Sequence, residues 1–212
     1  MNIFSRFALV AAMLVAVAVA VAVATLARAD SLDDCQGQDL QRRITGCTEL
    51  IDRNEPATDL AHAYAMRGLA YSLQGAYDRA IADFDAAIDK RPNFPAVLNN
   101  RAWAYFRSGR IRQGLPDIER SIELEPGSAF AYDTRAHMRQ ALGDSAAALR
   151  DYDRALFYGA TGMAKLYQCG LSDRGIYTGP LDGVGGPQLV QALEKCAALQ
   201  DCDPLPPDEK CR

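Results

Sequence analysis

The sequence predicts an all-α fold, a solenoid of helix-turn-helix units followed by a small helical module. Three observations carry that expectation. Segments starting at Ala61, Pro95 and Ala129 align at a step of 34 residues, the length of one helix pair with its turns. Gly75, Gly109 and Gly143 recur at one place in each segment, where the chain must reverse between helices. Then "GIYTGPLDGVGGP", Gly175 to Pro187, holds five glycines and two prolines in thirteen residues. Such a stretch ends helical structure and marks a different unit.

The chain opens with Met1–Arg6, followed by twenty uncharged residues from Phe7 to Leu26, mostly Ala and Val. Ala27-Arg28-Ala29 then supplies small residues at the spacing of a cleavage site, so residues 1–29 are expected to be a signal peptide. Twenty apolar residues can also span a bilayer, and an uncleaved anchor is the alternative, the only route to a membrane here. Without Arg6 and Arg28 the chain carries 21 basic and 27 acidic residues, a net of −6. That balance argues against nucleic acid as a partner. Cys35, Cys47, Cys169, Cys196, Cys202 and Cys211 all follow the expected cleavage point. An even number in an exported chain favours disulfides and a periplasmic or secreted location.

Residues 30–60 are expected to form a capping helix pair. "QRRITGCTELIDRN" has the pattern of a second repeat helix, with Cys47 where Phe84 stands and Ile51 where Ile88 stands. A Cys35–Cys47 disulfide would tie a short first helix to it and compensate for a small core.

Residues 61–162 hold the three repeats. Tyr64, Gly68 and Tyr71 fall on a first helix, Ala80, Phe84 and Ala87 on a second, and Pro92 closes the unit. Leu98, Ala102, Tyr105, Ile118, Ser121 and Pro126 answer in the second segment, and Tyr132, Ala136, Ala148, Tyr152 and Ala155 in the third. Small residues let paired helices approach, and large ones fill between pairs. This pattern resembles the tetratricopeptide repeat over about half the chain. The third unit departs most: Arg139 replaces the tyrosine of Tyr71 and Tyr105, and Ala160 replaces the closing proline. Gly114 and Pro116 fall early in a helix, which is expected to start late or bend. Arg67, Arg101 and Arg135 recur at the repeat step, as do Asp83, Asp117 and Asp151. Charges locked to the period could form a reactive site. A ladder of structural ion pairs between first and second helices is the expected arrangement.

In the tetratricopeptide family a groove lined by first-helix side chains binds a protein segment. Carried over, that implies His62, Leu69, Asn99, Trp103, Phe106, Asp133, His137 and Gln140 as groove residues. Trp103 and Phe106, one turn apart, serve either as a binding hot spot or as inter-repeat packing.

Residues 163–212 form the last module. Gln168 and Leu171, then Gly175, Tyr177, Gly179, Pro180, Asp182 and Gly183, then Gly186, Pro187, Ala192 and Leu193 resemble the type-1 peptidoglycan-binding domain over about 35 residues. The resemblance implies three helices and a wall contact at Tyr177, Gly179 and Asp182, with Tyr177 the exposed stacking surface. Asp182 also suits an Asx turn completed by Gly183, a purely structural role. A module acting only as a structural cap is the alternative. The four C-terminal cysteines allow three pairings, of which Cys169–Cys196 with Cys202–Cys211 is expected.

No catalytic set is visible. The only histidines, His62 and His137, fall on different repeats, and neither a G-x-S-x-G nucleophile motif, an HExxH metal motif nor a phosphate-binding glycine loop occurs. No cofactor or metal is expected, and the chain is read as a binding protein rather than an enzyme.

Overall fold

The computed structural model describes residues 30–54, 57–199 and 201–206. The segment read as a signal lies outside them, as does Cys211. Among the described residues the secondary structure is helices and turns with no strand. The chain divides into two compact units, Met1–Arg91 and Pro92–Arg212.

The first unit contains α1 (residues 30–36), α2 (Leu40–Asp52), α3 (Ala57–Leu73) and α4 (Tyr77–Lys90). Asp39 starts α2, its carboxylate accepting from the Arg42 amide at 2.8 Å. Cys35 on α1 and Cys47 on α2 are bonded, their Cα atoms 4.6 Å apart. Gly46 makes that approach possible. A Cβ there would lie 2.6 Å from the Ser31 carbonyl and 2.7 Å from the Cys35 nitrogen. The core is as small as expected: Cys35, Cys47, Leu50 and Ala63, with Ile51 and Met66 beside it.

The second unit contains α5 (Pro95–Arg107), α6 (Ile111–Leu124), α7 (Ala129–Ala141), α8 (Ser145–Asp173) and α9 (Pro187–Ala197). The hairpin turns α3–α4, α5–α6 and α7–α8 place Gly75, Gly109 and Gly143 at φ of 74°, 77° and 86°. That conformation costs residues with a Cβ, which explains why glycine recurs at this place.

Two features correct the sequence. Helix α6 does not start late: it begins at Ile111, 34 residues after Tyr77, and carries Pro116 inside it. Gly114 lies against α5, where a Cβ would come within 3.0 Å of the Ala102 carbonyl. Contact with α5 holds the first turn in place despite the proline, a tertiary override of a local preference. At the missing closing proline, α8 is broken within its own span. Ala160 has φ 42° and ψ −131°, so the third repeat still ends at its expected position. A second helical stretch then runs on into the last module.

That module shares a core with the third hairpin. Tyr132, Ala136, Tyr152 and Ala155 cluster with Tyr167, Leu171, Tyr177, Leu189 and Leu193.

Candidate functional site, the cleft between first helices

The charged residues locked to the period do what the ladder predicts. Arg67 grips Asp83 with two bonds of 2.8 Å. Arg101 grips Asp117 at 2.6 and 2.7 Å. Arg135 grips Asp151 with two of 2.9 Å. Each joins the first helix of a hairpin to its second through a planar fork on a carboxylate. All three aspartates are buried. Arg139, the departure from the tyrosine pattern, donates to Asp151 at 2.8 Å as well. These groups are therefore committed to the scaffold.

A cleft of about 320 Å³ opens between α5 and α7. Ala96, Asn99, Asn100 and Trp103 form one wall, and Phe130, Asp133 and Thr134 the other. Glu125 and Ser128 sit at the α6–α7 connection, and Leu205 of the C-terminal tail closes an end. Phe130, Asp133 and Thr134 lie 34 residues after Ala96, Asn99 and Asn100. The same three repeat positions thus face each other across the cleft. Sequence reasoning named Asn99, Trp103 and Asp133 but missed Phe130, Asn100, Thr134, Glu125 and Leu205. Applying the period to Asn99 and its neighbours would have found the two helix walls. Nothing local marks Leu205.

Trp103 and Phe106 separate in role. Their rings lie 5.2 Å apart, and both face the His137 ring, Trp103 edge-on at 5.5 Å. Phe106 also packs on the core of Ala102, Ile118 and Met138. Trp103 alone of the two lines the cleft.

Asp133, His137 and Gln140, expected in an open groove, are buried. The C-terminal tail and the end of α9 meet polar atoms of His137 and Gln140, whereas α8 meets the Asp133 carboxylate. The Gln140 side-chain nitrogen faces the carbonyls of Cys196, Leu199 and Cys202 at 3.1, 2.7 and 2.7 Å, and its oxygen accepts from Tyr152 at 2.7 Å. Asp133 accepts from the Tyr167 hydroxyl at 2.6 Å. The His137 Nε2 meets Asp203 at 2.9 Å, while its Nδ1 meets the Asp133 carbonyl at 2.8 Å. Burial alone would push this imidazole down, but the Asp133 and Asp203 carboxylates outweigh it and hold its pKa up, at about 9. The imidazole thus faces two carboxyl groups, Asp133 at 3.6 Å and Asp203 at 2.9 Å, while burial pushes the Asp133 carboxyl up. His62 and Leu69, on α3 in the first unit, are exposed and half-buried respectively.

The glycine-rich loop corrects a further expectation. Tyr177 is buried, not an exposed stacking surface. Its hydroxyl donates to the Pro180 carbonyl at 3.0 Å, and its ring end fills the space beside Gly179 that a Cβ would need. Asp182 makes the Asx turn, accepting from Val184 at 2.9 Å and from the Gln168 amide at 2.9 Å. These two bonds, the backbone one first, hold its carboxyl below the usual range. Fully buried Gln168 completes the hub, accepting from the Gly183 amide at 2.8 Å. The Gln168 side chain thus ties exposed Asp182 and the Gly183 amide to α8.

The C-terminal pairing also differs from expectation. Cys196 is bonded to Cys202, six residues on, and Cys169 is disulfide-bonded too. Helix α9 ends at Ala197 and the chain folds straight back, bringing Cys202 under Cys196. The tail then crosses α8 at Gly170, where a Cβ would collide with the Pro204 carbonyl.

Paired helices with a cleft along their first members define a helical-repeat binding scaffold. The family described as TPR repeat matches residues 59–109. Over 108 residues the chain is 32% identical to the mouse (Mus musculus) DnaJ homolog subfamily C member 7, and over 113 residues 35% identical to mouse serine/threonine-protein phosphatase 5. Each alignment covers 51% of this chain and 22% of the relative. Human (Homo sapiens) RNA polymerase II-associated protein 3 is 34% identical over 90 residues, 42% of this chain and 14% of its own. The chain thus spans about a fifth or less of the length of these curated relatives. Together the family match and the alignments support a tetratricopeptide-repeat protein, whose repeats indicate protein–protein interaction.

Proposed function

We propose that this chain is a non-catalytic adapter that holds a segment of another protein in the α5–α7 cleft, with its C-terminal module serving as a structural cap. The observation that carries this is the cleft itself, with Trp103 and exposed Phe130 on facing walls. Rigid aromatic surface at low entropic cost is what a peptide-binding hot spot uses. The cap role rests on Gln140, whose amide is given over to tail carbonyls. A wall-binding role for Tyr177, Gly179 and Asp182 loses its support, since their groups serve the loop. A place outside the cytosol, periplasmic or secreted, is supported by the disulfides. Among the described residues no helix is long and apolar enough to cross a membrane.

A photo-crosslinking residue at Phe130, in the full chain expressed in its host, should capture a partner. The same residue at Phe157, on α8 and 78% exposed, should not. Equal capture at both positions would sink the cleft as the site. Purified chain should remain in the supernatant with peptidoglycan sacculi, and pelleting would restore the wall contact.

A further inference from the structure

The charge distribution of the cleft narrows what it accepts. Among the described residues its lining carries two carboxyl side chains, Glu125 and Asp133, and no lysine or arginine. Asp133 and Asp203 both face the His137 ring, and Arg174 also acts on Asp203, so within the cluster Asp133 is the carboxyl that reaches the cleft wall. Glu125 caps the end of α6 and is exposed, with its side chain beside the opening. The Arg107 guanidinium lies over the Trp103 ring at 5.5 Å. The walls add two neutral amides, and the Asn99 Oδ1 is buried with no hydrogen-bond partner among the described residues. An acceptor in that state gains from any N–H brought to it.

We infer that the partner segment is an extended, basic and apolar peptide. Its apolar side chains lie between Trp103 and Phe130, a lysine or arginine meets Glu125 at the mouth, and a backbone amide donates toward the Asn99 side chain. An acidic segment would meet exposed Glu125 at the mouth with no lining cation among the described residues to receive it, so the site discriminates by repulsion as well as attraction. Volume agrees, since about 320 Å³ holds two or three side chains and not a folded domain. This inference rests on the adapter reading of the cleft and adds the chemistry of its occupant.

Trp103 is the chain's one tryptophan and stands in the cleft wall, so its fluorescence reports the site directly. The probes are two nine-residue peptides, Lys-Pro-Leu repeated three times and its Glu-Pro-Leu counterpart, both kept extended by proline. They are titrated into the full mature chain at 150 mM NaCl. The lysine peptide should shift Trp103 emission saturably, and Glu125→Lys should weaken it about tenfold while leaving circular dichroism and melting unchanged. The glutamate peptide should bind at least tenfold more weakly to the wild type and regain affinity on Glu125→Lys. Equal binding of both peptides, or indifference to Glu125→Lys, overturns the basic partner yet leaves the cleft as a peptide site. No shift of Trp103 with either peptide, alongside no crosslinking at Phe130, fails the adapter reading itself.

Discussion

On the proposed reading, the N-terminal helix pair and the C-terminal module are caps that solve one problem with different chemistry. A repeat unit buries only one side against a neighbour, so each end of an array needs a cover. At the N-terminal end α1 and α2 imitate a repeat, with glycine-tight packing at Gly46, a core of a few small residues, and the Cys35–Cys47 bond. The C-terminal cover is polar. Its tail presents carbonyls and a carboxylate to Gln140 and His137, side chains that a first helix would otherwise offer to a ligand. An imitation cap leaves the groove positions of the next helix unspent, whereas a polar cap consumes those of α7. What α7 keeps for the cleft, which ends at Leu205, is its first two turns: Phe130, Asp133 and Thr134.

Four measurements sharpen or break this contrast, beginning with the largest effect. Between the caps, Arg101→Ala should cost about 3–5 kcal/mol, because Asp117 loses its fork while buried. Thermal melting checks this, and a change confined to partner binding would make the arginine functional rather than structural. Gln140→Ala should cost about 3 kcal/mol through carbonyls and a Tyr152 hydroxyl left without donors or acceptors. Hydrogen exchange should rise in α9 and the tail while α2 keeps its protection. Loss of protection in both would mean that the caps are not independent.

The disulfides rank next. Replacing Cys35 and Cys47 together by Ala should cost about 3 kcal/mol, and the Cys196–Cys202 pair about 2 kcal/mol, from the loop each closes. Denaturant melts of the two double variants give the order. The reverse order would show that the C-terminal cap depends on its staple more than on Gln140. The fourth effect is a pH dependence. His137 has a folded pKa of about 9, above its ordinary value of roughly 6.5. The stability this contributes is complete below about 6.5 and disappears as the pH rises through about 9. Melting temperature should therefore fall between pH 7 and pH 10 more steeply in the wild type than in His137→Gln. Parallel curves would mean that the imidazole is neutral in the folded chain.

The repeats were legible in the sequence because each position recurs, so the Arg–Asp ladder and the turn glycines could be checked three times over. Ala160 was legible as an anomaly but not as a break: its backbone turns without a proline, and the residues on both sides of it, Tyr152 and Ala155 before and Tyr167 and Leu171 after, enter one core. The tail was hidden. Its anchors pair residues 56 to 66 positions apart, and no local pattern announces that Gln140 will bind the carbonyls of Cys196 and Cys202. Tyr177 misled for a related reason. A tyrosine in a loop of glycines suggests exposure, whereas the ring is the loop's own filling.

The ion-pair ladder also bears on the order in which the chain acquires its structure. Each fork closes the same short loop, with partners 16 residues apart in every hairpin. The His137–Asp203 contact closes one of 66. By the logarithmic cost of loop closure, the longer one is disfavoured by a little over 1 kcal/mol before any contact rewards it. Hairpins can thus form as they leave the ribosome or a translocation channel, each complete within its own thirty residues or so. The tail waits for the last residues to arrive. A nascent chain therefore leaves the His137 Nε2 and the Gln140 side-chain nitrogen of α7 without their late partners until synthesis is nearly over, and the cleft gains its Leu205 end only then. Pulse-labelled hydrogen exchange during refolding should find α3–α6 protected before α9, with the Gln140 side chain the last of the hairpin groups to find its partners.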